Sequence, residues 1–395
     1  MSSWGPINRD VLDVDRHGGE KAPSNPIPKP TIGSSFELDP GVIKALPIPD
    51  TQVISARNYG KSLWGPTARI DVELPSGEKQ VYFFKAISGG SSDRSMIEGE
   101  FESLRALNAV SPSLVPFAYN WGQFDNKTAS GKDVYFLLTE FREVGTQPPY
   151  PSAFTARLAD LHQRSVSPTG KFGFHITTCL ARLPQVTDCW EESWSALYRM
   201  QLSRLITIDN NEHEASRPIT MDNNEHKASL EFPLVCYLVL DKVIPRLLEP
   251  LQSEGRTIKP CLVHGDLWDG NTATDMNTGE PFIFDAGSFY AHNEYELGNW
   301  RAARHRLSVP AYVESYKRNF PPSEPKDEWD DRNLLYSLRY DLAAAILIPE
   351  SNQRQVVKDN MITLCRKFCP EDLIEIRKVG MLLELPDTID KMRVT

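Results

Sequence analysis

The run Val263-His264-Gly265-Asp266-Leu267-Trp268-Asp269-Gly270-Asn271 is followed, after a short gap, by Ile283-Phe284-Asp285-Ala286-Gly287. Asp266 and Asn271 are five positions apart, and Asp285 lies fourteen beyond Asn271. This is the layout of a phosphotransferase base and two metal ligands. Phosphoryl transfer needs a hydroxyl aligned with the γ-phosphate of ATP and charge neutralised by Mg2+. Asp266 is suited to accept the hydroxyl proton. Asn271 offers a carbonyl oxygen to the metal, and Asp285, after the apolar run Phe282-Ile283-Phe284, adds the hard carboxylate that Mg2+ prefers. Asp, Asn and Gly also favour turns, so each residue taken singly fits a plain loop. The composite spacing points to an ATP-dependent kinase.

The flanking residues narrow the acceptor. Protein kinases carry Arg before the catalytic Asp and an A-P-E element after D-F-G. Here Gly265 precedes Asp266, and Asp285-Ala286-Gly287 runs into Ser288-Phe289-Tyr290-Ala291-His292-Asn293-Glu294-Tyr295-Glu296-Leu297. A small-molecule or amino-sugar acceptor is favoured over a protein hydroxyl.

On the string His264 to Trp268 with Gly270-Asn271, then Asp285, Ser288-Phe289-Tyr290, His292, Glu294 and Glu296, the chain resembles the fructosamine-3-kinase and ribulosamine-3-kinase family. Met96 to Glu100, Leu158 to His162 leading to Phe172-Gly173-Phe174, and Pro184-Gln185-Val186 followed by Trp190 and Trp194 agree with it. The resemblance covers roughly residues 36 to 390. It implies phosphorylation of the sugar 3-hydroxyl of ketosamines, with glycated protein lysines or small-molecule ketosamines as substrates. It also implies an α+β, two-lobed protein-kinase-like fold with a small antiparallel-sheet N-lobe and a mainly α-helical C-lobe.

The positioning elements can be read independently. Alternation over Thr51 to Ala56, Ala68 to Leu74 and Gln80 to Lys85 predicts three strands. A helix from about Ser95 to Asn108 carries Glu98, Glu100 and Glu102. A kinase strand lysine contacts the α/β-phosphates and pairs with a glutamate on the following helix. Lys85 with Glu100 is the expected pair, Glu98 the reserve. Between the first two strands, Arg57 to Pro66 holds only two glycines, so the regular G-x-G-x-x-G cover is missing. Backbone groups of Gly60, Lys61 and Ser62 are the expected phosphate contacts; a plain hairpin turn fits the same residues. Val134 to Phe141 reads as the last strand, leading into a hinge at Glu140 to Val144 whose backbone would meet adenine.

Helical periodicity follows in Phe154 to Arg164, Trp190 to Ile206, Cys236 to Leu251 and Leu334 to Ile348. His162 is expected to pack at a helix end. For the acceptor, Trp268 could lie against the sugar ring, and His292, Glu294 and Glu296 could reach its hydroxyls or amine. The opposing reading has Trp268 packing the loop and Glu296 anchoring a helix start. Residues 206–218 are nearly repeated by 219–229, which reads as a local duplication in an exposed polar loop at 206–230. Two copies are too few for a solenoid.

The expected organisation is a flexible tail at 1–34, an N-lobe at 35–143 and a C-lobe at 144–395. At 395 residues and 40% hydrophobic content, with no long apolar run, the chain can hold such a core and lacks a membrane span. A net charge of −10 argues against a nucleic-acid partner. The tail has no signal-peptide hydrophobic segment, and six scattered cysteines suggest reduced thiols, so a cytoplasmic location is expected. The alternatives are a kinase of the same build acting on another hydroxylated small molecule, such as an aminoglycoside-like natural product, or a pseudokinase that binds nucleotide without turnover.

Overall fold

The structure is a computed structural model that describes residues 12–14, 21–23, 30–60, 62–215 and 223–382. A short ladder pairs β1 (Leu12–Val14) with β2 (Lys21–Pro23). Then come β3 (Ile32–Ser35), α1 (Pro40–Lys44), β4 (Gln52–Tyr59), β5 (Thr67–Glu73), β6 (Lys79–Ser88), α2 (Asp93–Val110), β7 (Ala118–Gln123), β8 (Val134–Glu140) and α3 (Pro151–Arg164). Short strands β9 (Phe172–Gly173), β10 (Cys179–Leu180) and β11 (Leu183–Pro184) lead to α4 (Trp194–Ala215), α5 (Asn223–Leu238), a π-helical turn at Val239–Val243 and α6 (Ile244–Leu248). The remainder comprises β12 (Cys261–Val263), β13 (Thr272–Thr274), β14 (Pro281–Ile283), β15 (Phe289–Ala291), α7 (Pro310–Asn319), α8 (Trp329–Leu347), α9 (Gln353–Phe368) and α10 (Pro370–Leu382). The class is α+β, as expected.

The chain forms two compact units. Among the described residues, one takes the chain up to Trp190, with Pro260–Glu296 and Ala302–Pro321; the other takes those of Glu191–Lys259, Leu297–Arg301 and residues 322–382. In the first, six strands make an antiparallel sheet in the order β3-β4-β5-β6-β8-β7. Alternation along β5 buries Ala68, Ile70 and Val72 on one face, where they join Val42 and Leu46 around α1, Tyr82 and Phe84 of β6, and Phe136 and Leu138 of β8. Asp39 caps α1 by accepting from the Gly41 amide at 2.8 Å, and accepts from the Asp125 amide at 2.7 Å beyond β7. Helix α2 buries Met96, Ile97, Glu100, Leu104 and Leu107. Helical spacing therefore turns Glu100 inward, while Glu98 pairs with Arg94 at 3.3 Å on the outer side.

Strands β12 and β15 pair antiparallel, and β15 also pairs with β9; the β13–β14 hairpin carries the chain from Asn271 towards Asp285. Helix α3 lies beneath. Its His162 is fully buried and bonds the Tyr316 hydroxyl of α7 at 2.7 Å. In the second unit, the Trp194 indole N–H of α4 donates to the Tyr336 hydroxyl of α8 at 2.8 Å, and the Tyr198 hydroxyl donates to the Leu335 carbonyl.

Three expectations change. Residues 32–34, assigned to the tail, belong to edge strand β3, whose pairing with β4 is too short to show as alternation. Strand β7 was not anticipated, because Asn120 and Gly122 interrupt its pattern. The duplicated segment is not a loop over its described part: residues 206–215 end α4 and 223–230 begin α5, with 216–222 outside the described residues. Glu and Ala in the repeat are strong helix formers, and Asp209 is buried against Arg354 at 2.9 Å.

Candidate active site

The segment from His264 to Asn271 is held from below. The buried carboxylate of Glu296 accepts the His264 amide and, at 3.1 Å, the Gly265 amide. Gly265 itself has φ +86°, and a Cβ there would lie 2.2 Å from the Gly287 carbonyl. Only glycine fits that crossing. The His264 ring accepts the Asp266 amide at Nδ1 (3.3 Å), so its Nε2 carries the proton and donates to the Phe284 carbonyl at 2.8 Å. Burial holds this imidazole below its ordinary pKa, consistent with a neutral ring. One buried histidine thus joins the Asp266 loop to the strand end carrying Asp285.

Asn271 completes the junction. Its Nδ2 donates to the Asp266 carbonyl at 2.8 Å, and at 3.5 Å to that of Asp285. This fixes the amide orientation, leaving Oδ1 as the acceptor turned away from those carbonyls. Asp285 sits in the left-handed region at φ +58°, uncommon for a non-glycine residue and a form of strain found at functional sites.

From the sheet, Lys85 Nζ donates at 2.8 Å to both Glu100 and Asp285. Lys85 and Glu100 are buried, whereas the Asp285 side chain is 38% exposed and so open to a ligand. Lys85 is raised despite the opposing effect of desolvation, because two carboxylates face it. Asp285 is lowered: burial raises it, but the Lys85 charge outweighs that. Glu100 is pushed up to about 8, chiefly by burial and by the Asp285 charge, with Lys85 opposing. One cation shared by two carboxylates leaves the deeper acid the harder to ionise.

Asp266, Asn271, Asp285, Lys85 and Glu100 therefore converge. Several other expected site residues do not reach an open site. The Gly60 amide is occupied by the Thr31 carbonyl at 3.1 Å, so it is not a phosphate donor; its φ of +73° serves the turn. The Ser62 hydroxyl accepts the Trp64 amide at 3.2 Å, and Lys61 lies outside the described residues. The Glu140 amide donates to the Phe117 carbonyl at 2.7 Å and its carboxylate takes the Phe117 amide and Arg142, so Glu140 is not free to meet adenine. His292, Glu294 and Glu296 are at most 1% exposed, which removes them from direct acceptor contact. Their spacing after Asp285 reflects the packing of this segment beneath the loop that carries Asp266. Trp268 is half-buried: its ring covers Gly270, where a Cβ would come within 2.3 Å, and lies 5.3 Å from the His305 ring.

Several structural supports were not anticipated. Gln185 Nε2 donates to the Gly287 carbonyl at 2.9 Å, and the Tyr59 hydroxyl hydrogen-bonds the Val144 backbone. Asp269 accepts the Arg306 amide at 3.1 Å with His305 beside it at 3.2 Å. No local periodicity marks such contacts; only the Pro184-Gln185-Val186 landmark hinted at one.

Residues 61–365 match the family model described as fructosamine kinase. A protein-ribulosamine 3-kinase, chloroplastic, of Oryza sativa subsp. japonica is 29% identical over 63% of this chain and 64% of its own. A ketosamine-3-kinase of Mus musculus is 30% identical over 54% of this chain and 67% of its own. The match thus spans just under two thirds of the rice relative. Two solved structures carrying the fructosamine-3-kinase name share the fold. That from Thermobifida fusca has TM-score 0.61 and 19% identity, covering 84% of this chain and 100% of that one. That from Haemophilus somnus has TM-score 0.54 and 18% identity, covering 85% and 92%.

Proposed function

The chain belongs to the fructosamine kinase family, and from that premise we propose that it transfers the γ-phosphoryl group of ATP to the 3-hydroxyl of ketosamines, ribulosamine or fructosamine adducts of protein lysines or free amines. The observation that carries this reading is the Lys85 bridge between Glu100 and Asp285, with Asn271 bonded to the Asp266 carbonyl. Lys85 orients the α/β-phosphates, with Glu100 holding the ammonium in place. The donor set fits Mg2+: one amide oxygen and one partly exposed carboxylate are hard ligands, which substrate phosphates and water would complete. Bound there, the ion would neutralise charge on the transferring group. Asp266 accepts the proton of the attacking hydroxyl, and adenine meets the linker backbone at Phe141 and Arg142 rather than Glu140. The partly exposed Trp268 ring contacts the sugar. In this reading residues 35–143 supply the nucleotide side and 144–395 the acceptor side, and the location is cytoplasmic, to be checked by fractionation because the rice relative is named chloroplastic.

The test is an assay of ATP consumption with Mg2+ and a ribulosamine, a fructosamine or the matching unglycated amine, with the phosphorylated position read by NMR. Phosphate on O3 that depends on the ketosamine is the expected result. ATP binding without phosphorylation of any ketosamine would redirect the reading to another hydroxylated acceptor or to a pseudokinase. Asp266→Asn is expected to lower turnover about a hundredfold or more; unchanged turnover would remove Asp266 from the role of base.

A further inference from the structure

The tight β10–β11 hairpin places Arg182 where the nucleotide-side loop and the Asp285 segment are both fixed. On one side, the Arg182 guanidinium lies over the Trp64 ring at 5.2 Å, with Nη2 3.4 Å from the Trp64 carbonyl. That loop cannot drift from Lys85. A Cβ on Gly65 would sit 2.0 Å from the Ala86 carbonyl, and the Ala86 amide bonds the Pro66 carbonyl at 3.0 Å. On the other side, a Cβ on Gly287 would lie 2.0 Å from the Cys179 carbonyl, and Gln185 holds the Gly287 carbonyl. Ser92, just before α2, donates to the Arg182 carbonyl at 3.2 Å, and the turn is tight enough to force Ala181 to φ +51°.

Within this frame the guanidinium lacks an anion. Among the described residues its contacts are to the Trp64 ring and carbonyl and not to a carboxylate, and its Nε is buried with no hydrogen-bond partner. A fixed, half-buried guanidinium with no carboxylate partner is costly unless an anion reaches its exposed side. Its planar fork suits phosphate oxygens. The loop beside it lacks the usual glycine cover, and its Gly60 amide is already occupied. We propose that Arg182 contacts the terminal phosphates of the bound nucleoside triphosphate, supplying the charge that the sparse glycine loop does not. This deepens the nucleotide-dependent reading above and rests on it.

The full chain would be titrated with ATP and with AMP by calorimetry, in wild type, Arg182→Gln and Arg182→Lys, with thermal melting of each variant to establish folding. The expected result is a loss of about tenfold or more in ATP affinity for Arg182→Gln, with AMP affinity unchanged and much of the ATP affinity kept by Arg182→Lys. Equal losses for ATP and AMP would mean that Arg182 only props the Trp64 loop, and unchanged ATP affinity would mean that it contacts nothing; either overturns the proposal. A misfolded Arg182→Gln leaves Arg182→Lys to decide, since loss of the fork at constant charge should still weaken ATP more than AMP. Wild type that binds neither nucleotide would overturn the kinase reading itself.

Discussion

Lys85, Glu100 and Asp285 form a small electrostatic unit whose titration is measurable. Glu100 is pushed up to about 8 in the folded chain, against an ordinary value near 4.5. Between those values the native state holds a proton that the unfolded chain has released, so this group makes stability fall as pH rises through that window. Asp285 has the opposite sign: its lowered value contributes stability that is lost only in acid, as pH falls through it. Glu100→Gln removes the first effect, and its melting temperature should vary less than that of wild type between about pH 5 and 8. Identical pH profiles would mean that the pair with Lys85 keeps Glu100 ionised throughout. Glu296 acts through geometry. Glu296→Gln replaces one of the two acceptor oxygens under the His264 and Gly265 amides by an NH2 donor, and should lower kcat about tenfold or more with nucleotide affinity within about twofold. Unchanged kcat would show that the loop keeps its position without this anchor. Residue types at Asp266, Asn271 and Asp285 were legible because phosphoryl transfer restricts the choice. The burial of His292, Glu294 and Glu296 was not, since acidic residues near a motif look alike whether they face substrate or backbone.

At the scale of elements, the segment from β12 to β15 depends on close backbone crossings. Gly265→Ala combines a left-handed φ with a Cβ 2.2 Å from the Gly287 carbonyl, and should destabilise the fold by about 2 to 4 kcal/mol in urea unfolding. A loss below about 1 kcal/mol would mean that the crossing relaxes easily. Strands β4, β5, β6 and β8 were readable from alternation because one face of each is buried. Edge strand β3 and strand β7 were not, because pairing to a neighbour rather than apolar pattern creates them. The repeat within 206–230 misled for a related reason: polar composition suggested a loop, yet its Glu and Ala residues suit the end of α4 and the start of α5.

For the whole molecule, cysteine chemistry gives a simple measure of native packing. All six cysteines are free, and only Cys189 is not buried. Burial pushes the thiols of Cys179 and Cys236 up to about 12, far from the thiolate range at neutral pH. Titration of the native chain with a thiol reagent should therefore show one fast-reacting group and all six after denaturation. Several fast thiols in the native state would contradict the packing of α5 and α9, where Cys236 and Cys365 lie. No helix among the described residues is long and apolar enough to cross a membrane.

The kinase class, the α+β class and the pairing of Lys85 with a glutamate on the next helix were legible in the sequence alone, because motif spacing, alternation and helical spacing are local properties. Which glutamate turns inward, which amides are already bonded at Gly60 and Glu140, and which charges lie beneath the loop were decided by tertiary structure. Hydrogen-bond occupancy and burial arise between residues far apart in the chain: Lys85 meets Asp285 across 200 positions and Gly265 meets Glu296 across 31. No window along the sequence contains both partners, so only the folded chain shows which polar groups remain available for a substrate.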